Sequence, residues 1–407
     1  MRVLHLNTHP SGGSYEYAAL LSTALTERGI ESRVLCKNAS EGCRFFLNRL
    51  IRRASVSLSR EPWHGTRRLL LPPGPEELAD VDVVHLHTVA DWFDVPIWLE
   101  NLPRGMGVAI SIHDMWHVTG GCFLYRGCDL YSNTCTPCPI LRGPANRFLA
   151  ADEQSRKLHA YRKRGVRLVA NSHWLAEIAG RSPIAKACGG VQVVAPGIDT
   201  TVFRPQEKSL CRKHLDLPAD AFVIVTGGTS LTDANKNVPW LFEQLSHLPD
   251  LAGVIVLAFG EGAVPASDRL NVRITGGVRE RSELARLFAA ADVFVSASLM
   301  ETYGLTLVEA MACGTPTVAF RVGGIPEAAP EGQGAMLCAL QDGAGLIEAI
   351  MKLRNSAQLR EMLGAAGREI VRVRNQLSSF AALFEGIYRE CVLSRDNAEC
   401  KESAFVL

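Results

Sequence analysis

The sequence predicts an α/β protein of two domains, each built on a parallel sheet. Three observations lead there. A chain of 407 residues exceeds what one ordinary hydrophobic core serves. Its 47% hydrophobic content, with 35 glycines, supplies two cores and many short turns. Short β-rich runs alternate with amphipathic helical stretches, the signature of parallel strands joined by helical crossovers.

The elements follow in order. Runs 2–7, 32–37, 82–87, 107–114 and 166–172 read as strands of a first sheet, and 191–205 as a last strand with a Pro- and Gly-marked crossover. A second series begins at 222–228 and continues through 252–260, 272–277, 293–298 and 315–320, with a helix expected over 282–291. The domains are expected at 1–196, with a cysteine loop at 119–139, and at 197–375. A C-terminal helix over 376–395 is expected to cross back to the first domain, leaving 396–407 as a frayed tail. Two such sheets facing across a cleft would line it with the carboxyl ends of their strands, where open α/β sheets bind ligands.

Charge narrows the partners. With 43 basic and 42 acidic residues the net charge is +1, so nothing global favours nucleic acid. The N-terminus lacks the pattern of a signal peptide, and no apolar run reaches the ~18 residues that span a bilayer. A cytoplasmic location is therefore expected, with reduced thiols.

The stretch ETYGLTLVEAMACGTP (301–316) carries the chemistry. It reads as a short helix over 305–313, closed by Gly314 and Pro316. Gly304 lets backbone approach a ligand, and the free N–H groups of the helix start favour a pyrophosphate. Glu301 lies before the helix and Glu309 over a turn inside it. A buried carboxylate is costly without partners; vicinal hydroxyls at two ends of a nucleotide sugar would supply them.

In this setting the spacing E-x7-E resembles the retaining GT-B glycosyltransferases of the glycosyltransferase family 4-like group, which includes sucrose-phosphate-synthase-like enzymes. The resemblance implies the GT-B fold of two Rossmann-like domains, with Glu309 on the donor's ribose hydroxyls and Glu301 on its sugar. Gly12 and Gly13 of SGGSYEY resemble that group's Gly-rich first loop, and PGID (196–199) its interdomain crossover. Lys236 resembles the lysine that meets the diphosphate. The arginine usual upstream of it is absent, Thr229 and Ser230 standing there, so either a polar contact or another arginine replaces it. Val278 of VRITGGV is expected beside the nucleobase; Tyr303, Gly304 and Leu305 complete the donor site, and GGIPE (323–327) matches a further element. No catalytic cofactor is implied, only a nucleotide-diphosphate sugar as donor substrate.

His113, at the end of strand 107–114 beside Asp114, is the best candidate catalytic side chain, together with Glu301 and Lys236; a strand-capping histidine is the plain alternative. His85 and His87 are read as structural, one on each sheet face. Cys122, Cys128, Cys135 and Cys138 are spaced C-x5-C-x6-C-x2-C, where chance would place about half a cysteine in 17 residues. Four thiolates suit a structural zinc; an iron–sulfur cluster, packed thiols or a disulfide are the alternatives. The pattern HDMW…TGGC…CxxCP resembles a bacterial cell-surface polysaccharide subset of the same group. Residues 44–68 hold seven arginines and one acid, which fits an anionic membrane surface or a solvated helix face.

These features together predict a retaining hexosyltransferase acting on a glycan or lipid-linked glycan acceptor in bacterial envelope assembly, peripheral on the inner face of the cytoplasmic membrane. A catalytically silent partner of the same fold and a nucleotide-sugar epimerase are the alternatives.

Overall fold

The computed structural model describes residues 1–37, 59, 63–68, 70–143, 146–264 and 268–403, with 146–147 and 394–403 described by backbone alone. The chain divides into two compact units: 1–197 with 377–407, and 198–376.

The first unit holds a six-stranded sheet of β1 (Arg2–Asn7), β2 (Glu31–Cys36), β3 (Val83–Leu86), β4 (Gly107–Ile112), β5 (Arg167–Ala170) and β6 (Val191–Val193). Their order is β2-β1-β3-β4-β5-β6, every ladder parallel. β3 and β4 are buried along their whole length. That explains their unbroken apolar character, since helices cover both faces of a parallel sheet. One covering helix is the C-terminal one, Leu377–Ser403. Its Phe380, Phe384, Ile387 and Tyr388 share a core with Val3, Tyr17 and Leu21. The backbone stays helical to Ser403, past residue 396 where fraying was expected; 404–407 lie outside the described residues.

The second unit holds β7 (Phe222–Ser230), β8 (Val254–Glu261), β9 (Val272–Gly276), β10 (Val293–Ser296), β11 (Thr317–Phe320) and β12 (Ala335–Cys338), ordered β12-β11-β10-β7-β8-β9 and again parallel throughout. The sequence reading missed β12, a four-residue run without alternation. In both sheets the strand order reverses once, between β1 and β3 and between β7 and β10. Loops leaving the two central strands diverge there, opening a crevice at the carboxyl ends.

Among the described residues no helix is long and apolar enough to cross a membrane. Of the basic stretch 44–68, residues 44–58 and 60–62 lie outside the described residues. Arg67 is engaged by Asp152 and Glu153, and Arg68 by Asp91.

Candidate active site

The switch point of the second sheet gathers the acidic and basic residues picked out by the sequence. The loop after β7 and the loop after β10 are stitched by main-chain and amide bonds: Leu299 N–H donates to Asn235 O at 2.8 Å, and Asn235 Nδ2 to Met300 O at 2.8 Å. This brings Lys236 Nζ onto Glu301 Oε1 as a hydrogen-bonded ion pair. Both side chains are about one-fifth exposed, at 24% and 17%. Burial pulls the Lys236 ammonium down, but the adjacent Glu301 outweighs it and the net shift is upward. The stem of Lys236 lies over Gly228, where an added Cβ would come 3.3 Å from its Cε. Glu301 is fixed from behind by GGIPE. Gly324 N–H donates to Glu301 O at 2.9 Å, and a Cβ at Gly323 would sit 1.9 Å from that oxygen. That motif therefore sets the position of Glu301.

Helix Leu305–Ala312 starts on Gly304, whose left-handed φ of 97° demands glycine. No side chain caps this start, whereas Asp342 and Ser356 cap the helices Gly343–Asn355 and Ala357–Arg374 in the same unit. Its first-turn N–H groups thus point to whatever anion meets the helix end. Tyr303 is a core residue, its hydroxyl accepting from Asn375 Nδ2 at 2.7 Å, which leaves its backbone as the part that can serve a ligand. Leu305 is half-buried, Val278 half-buried in the segment after β9, and Thr229 exposed at the end of β7.

Glu309 is 3% exposed, and the partner that its burial requires is Arg281. Arg281 Nη2 donates to Glu309 Oε1 at 2.8 Å, and its guanidinium lies 4.6 Å from the Phe203 ring centroid. Sequence reasoning did not name this arginine. The available signal was its place at the start of helix Arg281–Ala290, after an exposed and charged turn.

In the first unit, Gly12 (φ 90°) is the uncapped start of helix Gly13–Glu27, beside the other switch point. His113 follows β4. Its Nε2 lies 3.0 Å from His87 Nδ1, and its ring meets Tyr17 edge-on. Burial lowers its pKa to about 4, so it is neutral near pH 7. Asp114 accepts from Trp116 N–H at 2.7 Å, and burial raises its carboxyl to about 6.

One expectation is corrected here. His85 and His87 do not point to opposite faces: side chains two apart on a strand share a face. His5, from neighbouring β1, joins them, and the three offer nitrogens within 4.8 Å of one another. All three rings are fully buried.

The four clustered cysteines line one cavity of about 290 Å³. Gly120 N–H donates to Cys135 Sγ at 3.2 Å. The Cys138 thiol is pulled below its ordinary pKa by its hydrogen bond with Cys122, against burial, and with help from the N–H groups of Leu141 and Ile140. None of the ten described cysteines forms a disulfide. Among the described residues the histidine trio, not the thiols, meets the 4.8 Å spacing. Beside the cluster, Lys157 is fully buried, donating to Trp116 O and to Thr119 O at 2.9 Å, with burial lowering its pKa to about 8.

Comparison with known proteins agrees with this architecture. The family described as glycosyltransferase family 4 matches residues 11–202, and that described as glycosyl transferases group 1 matches 221–356. D-inositol 3-phosphate glycosyltransferases of Mycobacterium tuberculosis and Mycobacterium bovis are 34% identical over 191 residues, 44% of this chain and 39% of theirs. The match thus spans well under half the length of those relatives. Sucrose-phosphate synthase from Thermosynechococcus elongatus superposes with a TM-score of 0.68 at 18% identity, over 97% of this chain and 99% of that one. WaaG, a glycosyltransferase involved in lipopolysaccharide biosynthesis, gives 0.62 at 15% over 95% and 99%. Anabaena HepE, solved with UDP-glucose, gives 0.61 at 16% over 96% and 100%. Models of two glycosyltransferase families thus match successive stretches of this chain, and its fold is that of the GT-B structures.

Proposed function

We propose that this protein is a retaining glycosyltransferase, moving a hexose-type sugar from a nucleotide-diphosphate donor to a glycan acceptor, lipid-linked, in bacterial surface polysaccharide assembly. One observation carries the reading. The Lys236–Glu301 pair and the Arg281–Glu309 pair flank a single uncapped helix start at a switch point. An anion and two sets of hydroxyls are what such a place can take. HepE, of the same fold, has been solved with UDP and glucose.

In this reading Glu309 accepts from the ribose hydroxyls and Glu301 from the sugar. Lys236 and the Gly304–Leu305 amides meet the diphosphate. Arg281 supplies the second positive charge, answering the absence of an arginine near Thr229. Gly12, Gly13 and His113 serve from the first domain. The acceptor oxygen bonds to the anomeric carbon as the bond to the diphosphate breaks on the same face, and the departing phosphate takes the acceptor's proton. Catalysis then rests on positioning and on charge stabilisation, each lost donor costing about 3 kcal/mol.

Thermal melting with UDP, GDP and ADP and their sugar conjugates tests the reading. A ligand at ~100 times its Kd adds about 2.7 kcal/mol. Stabilisation by one nucleotide series, abolished by Glu309→Ala, is the expected result. No stabilisation by any series sinks the donor site and favours the silent partner. That partner would keep its in-cell function with Glu301→Ala, where a transferase loses it.

The cysteine cavity supports a structural zinc in the same protein. N–H groups aimed at Cys135 and Cys138 are what bound thiolates need, and buried Lys157 beside them offsets a thiolate cluster's negative charge. The sulfurs would close around the ion. Purified protein should carry about one zinc per chain, lost with Cys135→Ser; metal-free protein of unchanged stability would refute it. For membrane docking, Arg44, Arg49, Arg52, Arg53 and Arg60 are the arginines of 44–68 to test, by co-sedimentation with anionic and neutral vesicles.

A further inference from the structure

The polar interior of the first unit contains an unbroken line of imidazoles. Ser32 Oγ lies 3.1 Å from His5 Nε2, His5 Nδ1 lies 3.0 Å from His87 Nε2, and His87 Nδ1 lies 3.0 Å from His113 Nε2. The two middle rings are fully buried, while Ser32 on β2 and His113 after β4 are half-buried. We propose that Ser32, His5, His87 and His113 form one proton relay, whose imidazoles change tautomer together and decide whether His113 Nδ1 donates or accepts.

The tautomer constraint follows from the bonding alone. A neutral imidazole has one N–H and one bare nitrogen, and each bond in the line joins an Nδ1 to an Nε2. If His5 carries its proton on Nδ1, it donates to His87 Nε2. His87 must then carry its own proton on Nδ1 and donate to His113 Nε2, so His113 also holds a proton on Nδ1. In the opposite arrangement all three carry it on Nε2, and His113 Nδ1 is a bare acceptor. Ser32 closes either arrangement, because a hydroxyl both gives and takes. Passing from the first state to the second releases one proton at His113 Nδ1 and shifts each bridging proton across its bond. Ser32 gives its proton to His5 Nε2 and regains one from water. One proton enters and one leaves, and no ring becomes charged in the interior.

Neighbouring histidines show what the line is not. His117 Nε2–H donates to the His87 carbonyl at 2.9 Å, so its Nδ1 accepts from the Tyr161 hydroxyl at 2.9 Å and its tautomer is fixed. The His85 ring lies tilted beside His87, centroids 4.2 Å apart, but bonds sideways, to the Tyr388 hydroxyl at 2.7 Å and Ser111 Oγ at 2.9 Å. With all six ring nitrogens of His5, His85 and His87 engaged, the trio is a hydrogen-bond network rather than a metal cage. Burial, which depresses every one of these imidazoles, keeps them neutral.

The use of the relay rests on the proposed reading that His113 meets a sugar hydroxyl; its existence does not. Ser32, His5 and His87 are positioning residues, acting through His113. Long-range 15N–1H spectra of the full ligand-free chain labelled in histidine, assigned with His5→Gln, His87→Gln and His113→Gln, read the tautomers directly. The expected result is one shared protonated nitrogen type in all three rings. Ser32→Ala, a small change at the far end, should shift the His113 tautomer population, and Ser32→Thr should restore it. Rings of mixed tautomer, or a His113 population indifferent to Ser32→Ala, would overturn the relay. If the spectra behave as expected while no nucleotide binds, the transferase reading fails and the relay stands.

Discussion

Replacing Arg281 by methionine tests the claim that Glu309 is buried because it is paired. The Glu309 side chain is 4% exposed and that of Arg281 29%, with 2.8 Å between them. Removing one partner of a fully buried pair costs about 3–5 kcal/mol, and an exposed pair contributes about 0.2–1 kcal/mol. A pair with one end buried and the other partly wet should fall between, at about 2–3 kcal/mol. Methionine keeps contact with Phe203 but forfeits the guanidinium over its ring, a further ~0.5 kcal/mol. For a domain of this size each kcal/mol moves Tm by about 2–4 °C, so calorimetry should show a fall of roughly 5–14 °C.

The double-mutant cycle supplies the refutation. Glu309→Gln removes the charge that needs a counter-ion, so Arg281→Met on that background should cost at least ~1 kcal/mol less than it does alone. A loss under about 0.5 kcal/mol in the single variant, or plain additivity in the double, would mean that water or another group already satisfies Glu309. The assignment of Arg281 as the second cation would fall with it.

The remaining predictions concern both units. Lys236→Met should change stability by less than about 1 kcal/mol, the pair being part-exposed. It should still lower sugar transfer by at least ~100-fold; an active, stable variant would exclude the diphosphate role. Gly304→Ala places a Cβ at φ 97° and 2.9 Å from Leu307 Cδ1. It should cost about 1–2 kcal/mol by denaturant unfolding, and a neutral outcome would deny that the helix start is strained. Acid should unfold the first unit. His5, His113 and His117 have folded pKa values of about 3, 4 and 3, and His85 and His87 lie well below 6.5, so the unfolded chain binds more protons than the folded one. Stability from these depressed groups is present above pH 6.5 and lost as pH falls toward about 4, at up to ~1.4 kcal/mol per group per pH unit. Asp114, raised to about 6, acts oppositely: its contribution is present at low pH and lost as pH rises through about 6. One group cannot offset five, so flat stability between pH 7 and 5 would contradict the burial of the cluster.

The parallel sheets were legible because buried strands such as VVHL and GVAISI leave no doubt about burial on both faces, and because crossover helices separate them at regular intervals. β12 was not, since AMLC gives four residues and no period. Glu309 was legible as a problem: a carboxylate inside LTLVEAMAC asks for a partner. Its partner was not, because an arginine 28 positions earlier, half-buried at the start of its own helix, carries no local mark, and only the ordering of β10 beside β7 and β11 brings the two helices together. Gly323 shows the same limit. In sequence it is half of a turn; in the fold it is the residue whose missing Cβ lets Glu301 sit where it does.

The histidines fail for a different reason. The spacing His85-x-His87 already contains the information that both rings lie on one face, because the strand period is two. What it lacks is the identity of the neighbour. His5 stands 80 residues upstream in an ordinary apolar strand, and only the pairing of β1 with β3 sets it opposite His85. A buried imidazole alone is costly and reads as a packing accident. His5, His87 and His113, each supplying the bond the next requires, lower that cost collectively: the nitrogens facing one another along the line are paired without a single charge. Such a group acts as a line rather than as separate members. The loss of any one ring should therefore be felt at His113, at the carboxyl end of the sheet, where nothing in the local sequence of β1 would announce it.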